Sequence, residues 1–112
     1  MSELAKNVLL VVTADPRASG RAAEAVRIAA GVGGWEKVAV KVCFCGEARQ
    51  VLTELPDDFV NGEVFESYLP WLLEGEARVF VLADETAVAG VRPIGIPQLA
   101  ALGRECDSVL RF

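Results

Sequence analysis

The sequence predicts an α/β fold, a three-layer α/β/α sandwich around a mostly parallel sheet of four to five strands. Three observations lead there. The apolar runs are continuous and rich in β-branched residues, as in Val8–Val12 and within Arg78–Ala83, which suits strands covered on both faces. Helix-period segments alternate with these runs, and parallel crossovers need such helices. Hydrophobic residues make up 53% of 112 residues, enough to build a packed core in one domain spanning 1–112.

Asn7–Thr13 (NVLLVVT) predicts the first strand, and Ala14–Ala18 a loop. Ser19 is a suitable N-cap for the next helix. In that helix Arg21, Glu24, Arg27 and Gly31 share one face, while Ala22, Ala25, Val26, Ile28 and Ala29 occupy the others. The alanines let it lie close to a sheet, and Gly31, Gly33 and Gly34 are expected to stop it. Lys37–Cys45 predicts the second strand. Gly46 opens a short helix to Leu55, closed by Pro56, and Pro56–Gly62 reads as an acidic loop.

A second amphipathic segment carries Val64, Phe65, Tyr68, Leu69, Leu72 and Leu73. Pro70 predicts a kink there, or two short helices. Arg78–Ala83 predicts the next strand and Asp84–Gly95 a loop, with a short strand near Ala87–Val91. Pro97 fits the first turn of a helix ending near Glu105. Ser108–Phe112 is the closing strand.

Composition removes several function classes. A net charge of −5 argues against binding nucleic acid. No apolar run approaches the roughly 20 residues that span a bilayer, so no membrane role is expected. The first residues lack the pattern of a signal peptide, which predicts a cytoplasmic protein. Residues 54–85 hold nine acids and one base, against seven acids and ten bases elsewhere. This block reads as a solvated face, or as a docking surface for a basic partner. Histidine is absent, so the usual general base and the Ser-His and Cys-His pairs are absent too. Three cysteines form neither a disulfide framework nor a zinc pattern, and no metal or cofactor is expected.

Cys43 and Cys45 are two apart on a predicted strand, so they share a face with Phe44 opposite. Their Cα separation of about 6.6 Å lies near the outer limit for a disulfide. Cys43 is expected deep in the core. Cys45 ends the strand before Gly46 and is the candidate reactive thiol. Cys106 lies between the last helix and strand. Thr13, Asp15 and Arg17 follow the first strand, and Asp84, Glu85 and Thr86 follow the third. All six are candidate ligand-binding groups at the sheet's carboxyl edge, where open α/β sheets take ligands. Gly31–Gly34 follows a helix, the wrong context for a dinucleotide loop. Trp35 and Trp71 suit packing or an interface.

Four stretches resemble the DsrE/DsrF-like family of small α/β proteins, which includes sulfur-relay subunits. They are Val8–Pro16 with the helix Arg21–Ala30, then Val40–Ala48, Val79–Val91 and Ile96–Phe112. In active members the persulfide-carrying cysteine lies in the loop after the third strand. The matching stretch here, Leu82-Ala83-Asp84-Glu85-Thr86, has none. The resemblance therefore implies a non-catalytic subunit or binding module rather than an enzyme. It also implies homotrimers or hexamers, or assembly with related DsrE-like subunits. One alternative is a persulfide carrier, a sulfurtransferase using Cys45. The other is a flavodoxin-like nucleotide or flavin binder, which Pro16 disfavours by removing an amide donor from the first loop.

Overall fold

The computed structural model describes residues 6–33, 38–74 and 78–112. Five strands form one sheet: β1 Lys6–Val12, β2 Val38–Phe44, β3 Val79–Leu82, β4 Val91–Ile94 and β5 Ser108–Arg111. The order is β4-β3-β2-β1-β5, and every neighbouring pair is parallel. The helices are α1 Arg21–Gly33, α2 Gln50–Thr53, α3 Gly62–Glu74 and α4 Ile96–Glu105. Tight 3-10 turns over Gly46–Arg49 and Pro56–Asp58 precede α2 and α3. The α/β/α sandwich that the apolar runs predict is the architecture found.

The two faces of the sheet are filled unequally. On one, Ala22, Ala25, Val26 and Ala29 of α1 and Phe65, Leu69 and Leu72 of α3 pack on Leu10, Val12, Val42 and Phe44. The small side chains of α1 bring its backbone near the strands, and Arg21, Glu24, Arg27 and Gly31 face out. Glu24 and Arg27 pair along that outer face, an i, i+3 contact. On the other face α4 is the one helix among the described residues. It covers Leu9, Cys43, Phe80 and Ile94 with Leu99 and Leu102, and none of its own residues is fully buried.

Several boundaries differ from the sequence reading. Gly20 rather than Ser19 opens α1: its carbonyl accepts the Glu24 amide at 2.9 Å, while Ser19 Oγ accepts the Arg21 amide at 3.4 Å. Gly31 does not stop α1, because it sits on the solvent face with no neighbouring atom to disturb. Gly34, Trp35 and Lys37 lie outside the described residues. Helix α3 runs through Pro70 without dividing. Pro70 is exposed, as is Glu66, so the carbonyl left without an N–H donor faces water. Tyr68, expected on the apolar face, is 42% exposed.

The short strand expected near Ala87–Val91 lies instead at Val91–Ile94. It pairs parallel with β3 although no helix intervenes. An extended run such as residues 83–90 can reach about 26 Å. A four-residue strand is only about 13 Å long, so the loop suffices for the return. Gly90 takes a φ of +86° on this path, close against the Leu73 carbonyl. Pro93 is compatible with pairing because β4 is an edge strand.

Candidate functional site

The carboxyl ends of the strands gather the candidate residues into three groups. The first follows β1. The Thr13 and Ala14 amides donate to the Phe112 carbonyl at 2.9 and 3.1 Å, and Thr13 Oγ1 donates to the same oxygen at 3.4 Å. Asp15 Oδ1 accepts the Arg17 amide at 2.9 Å, the side-chain turn that aspartate favours. The Arg17 guanidinium sits 5.2 Å from the Phe59 ring centroid, with Nη2 3.8 Å from Glu54 Oε1. Val60 donates its amide to the Pro16 carbonyl at 2.8 Å. Thr13, Asp15 and Arg17 thus tie the first loop to the chain end and to the turn before α3.

The second group is the cysteine pair. The Cys45 amide donates to the Val12 carbonyl at 2.8 Å, fixing the end of β2 against β1. Cys43 and Cys45 face the α4 side among Leu9, Phe80 and Ile94, while Phe44 enters the opposite core. Their sulfur atoms are 3.8 Å apart, and both thiols are free. Burial, aided by the neighbouring Cys45, pushes the Cys43 thiol far above the ordinary thiol range. It stays protonated and is a poor nucleophile. Burial also raises the Cys106 thiol, with Lys41 opposing and Glu105 and Asp107 adding to the rise.

The third group lines a cleft of about 530 Å³ between the turn after β2 and the loop after β3. Gly46, Glu47 and Arg49 form one wall; Ala83, Glu85 and Thr86 form the other. Gly46 holds a φ of +55°, which turns the chain sharply away from the strand. Arg49 Nε donates to the Gly46 carbonyl at 3.0 Å, and Gln50 Nε2 donates to Glu47 Oε2 at 3.0 Å. Thr86 Oγ1 accepts the Val88 amide at 3.2 Å and shapes the loop. With Glu47 and Glu85 against Arg49, the lining charge favours a neutral or cationic occupant over a phosphate-bearing one.

Two of the candidate residues, Glu85 and Thr86, therefore line the cleft, and exposed Asp84 lies next to them. Thr13, Asp15 and Arg17 do not line it, nor does Cys45. Leu52 of the cleft packs with the α1/α3 core, whereas Cys45 belongs to the α4 side. Glu47 and Arg49 went unmarked in the sequence. Their signal was position: they lie one and three residues after Gly46, in the turn that follows β2. Among the described residues no group of three or more potential metal ligands converges. No described helix is long and apolar enough to cross a membrane.

Neither the family models nor the curated proteins compared with this sequence match it. Among solved structures, the fold is similar to the crystal structure of the ychN protein from E. coli. That likeness has a TM-score of 0.77 at 17% identity and covers 96% of this chain and 99% of that one. At this identity the likeness establishes the fold, the α/β sandwich around a parallel five-stranded sheet.

Proposed function

We propose that this chain is a DsrE-like subunit without the persulfide-carrying thiol, acting as a non-catalytic subunit or binding module of an oligomeric, sulfur-relay-type complex. The observation that carries the reading is the loop after β3. Ala83, Glu85 and Thr86 form a wall of the cleft at the sheet's carboxyl edge, and no cysteine is among the residues lining it. The carboxylate of Glu85 would itself disfavour a thiolate beside it. In such an assembly the subunit contributes shape and charge, and a partner supplies the sulfur chemistry.

A second reading, a sulfur carrier on Cys45, draws on the position of that thiol at the end of β2, 7% exposed where Cys43 is fully buried. Sulfur transfer from a small persulfide donor to an acceptor thiol separates the two. The first reading expects the unaltered chain to transfer no faster than buffer alone. Transfer that disappears in Cys45→Ser would replace it with the second.

A further inference from the structure

A groove of about 190 Å³ lies between α2 and α3 and shares no residue with the cleft. Val51, Phe65 and Leu69, all buried, form its floor. Glu54 stands on its α2 side and Glu66 on its α3 side, both exposed. Leu55 follows Glu54 and is 78% exposed, so apolar surface continues beside the groove. Pro70 also lines it. Proline has no N–H, so the Glu66 carbonyl, one helical turn back, lacks its helical donor. Glu66 therefore presents both a carboxylate and a free main-chain oxygen beside the groove. The surrounding charge is one-sided. Asp57 and Asp58 in the turn before α3, and Glu63 and Glu74 along it, are exposed. The one base within residues 54–85, Arg78, lies against the Trp71 ring at 4.9 Å. Arg17 reaches Glu54 at 3.8 Å in a half-exposed pair, and Glu66 has no ion pair among the described residues.

We propose that this groove docks a basic segment of a partner protein, with a large apolar side chain on its floor and an arginine held by Glu66. Charge selects the occupant. Carboxylates on both sides attract a basic segment and repel an anionic one, nucleic acid and phospholipid surfaces included. The acceptors of Glu66 select arginine within that class. A guanidinium carries several N–H donors in a rigid fork and can meet the carboxylate and the free carbonyl together, whereas an ammonium acts as a compact point charge. An apolar anchor beside a shielded arginine is also the composition that concentrates binding energy in protein interfaces. The groove is separate from the cleft, so this docking neither requires nor excludes a sulfur-relay role.

A phage-displayed library of random dodecapeptides, selected on the full chain and counter-selected on Glu66→Arg, tests this. Glu66 is exposed, so the substitution should keep the far-UV circular dichroism. Enriched peptides are expected to carry arginine next to leucine, phenylalanine or methionine. Glu66→Gln should weaken the best of them about tenfold, the effect of losing one charge-assisted hydrogen bond. Pro70→Ala restores the amide that bonds the Glu66 carbonyl within the helix. It should weaken the same peptide about threefold, raise the thermal midpoint of the chain, and lose its effect on binding once the peptide's arginine is replaced by lysine. Peptides without arginine, binding that Glu66→Gln leaves unchanged, or no enrichment at all overturns the proposal. If Glu66→Arg lowers the subunit number of the chain in native mass spectrometry, the groove belongs to a second copy and the proposal is overturned as well.

Discussion

Cys43 and Cys45 hold their sulfur atoms 3.8 Å apart on the α4 face of the sheet, away from the cleft that Glu85 and Thr86 line. The separation follows from the two-residue period of β2. Each cysteine must face the side that Phe44 does not, and Phe44 fills the larger core.

Burial of Cys43 makes stability depend on alkaline pH. Its thiol is raised in the folded chain relative to the unfolded one. The folded state therefore binds more protons once pH exceeds the unfolded thiol value of about 8.5. Stability is fully present below that value and is lost as pH rises above it, at up to about 1.4 kcal/mol per pH unit for one thiol. Urea unfolding from pH 8 to pH 10 should show this decline in the wild type. It should be shallower in Cys43→Ala, whatever the absolute stability of that variant.

Two glycines should respond in opposite directions to alanine. A Cβ at Gly90 would collide with the Leu73 carbonyl oxygen, and φ there is +86°. Gly90→Ala should cost more than about 1 kcal/mol, because strain and collision combine. Gly31 has open space around it within α1. Gly31→Ala should stabilise by about 0.5–1 kcal/mol through helix propensity alone. Thermal unfolding of the two variants against the wild type checks both signs.

Arg17 acts as a brace across the loop after β1. Its ion pair with Glu54 is half exposed and contributes little, and its contact with the Phe59 ring adds a modest cation–π term. Arg17→Ala should therefore cost about 0.5–1 kcal/mol. Phe59 is 6% exposed and packs edge-on to Phe65 at 5.5 Å. Phe59→Ala should cost about 3–5 kcal/mol. Chemical denaturation of both variants checks the ratio.

The sheet was legible because its strands are buried on both faces and so write unbroken apolar runs, as Val8–Val12 and Val40–Phe44 do. The turn chemistry was harder to read. Pro70 signalled a kink or two short helices, and of these the division does not occur: the residue is exposed and the helix continues. β4 was misplaced because Pro93 in Val91-Arg92-Pro93-Ile94 looks unlike a strand until its edge position is known. Strand ends predicted which residues meet at the carboxyl edge, but not which face each loop leaves by. Thr13, Asp15 and Arg17 consequently separate from Glu85 and Thr86, while Glu47 and Arg49 join them.

A non-catalytic subunit holds no transferable sulfur on any of its thiols. Intact-mass spectrometry of the native protein after exposure to inorganic polysulfide and removal of excess reagent tests it most directly. The mass is expected to stay unchanged. Retention of one sulfur atom that maps to Cys45 and leaves on addition of an acceptor thiol would contradict it.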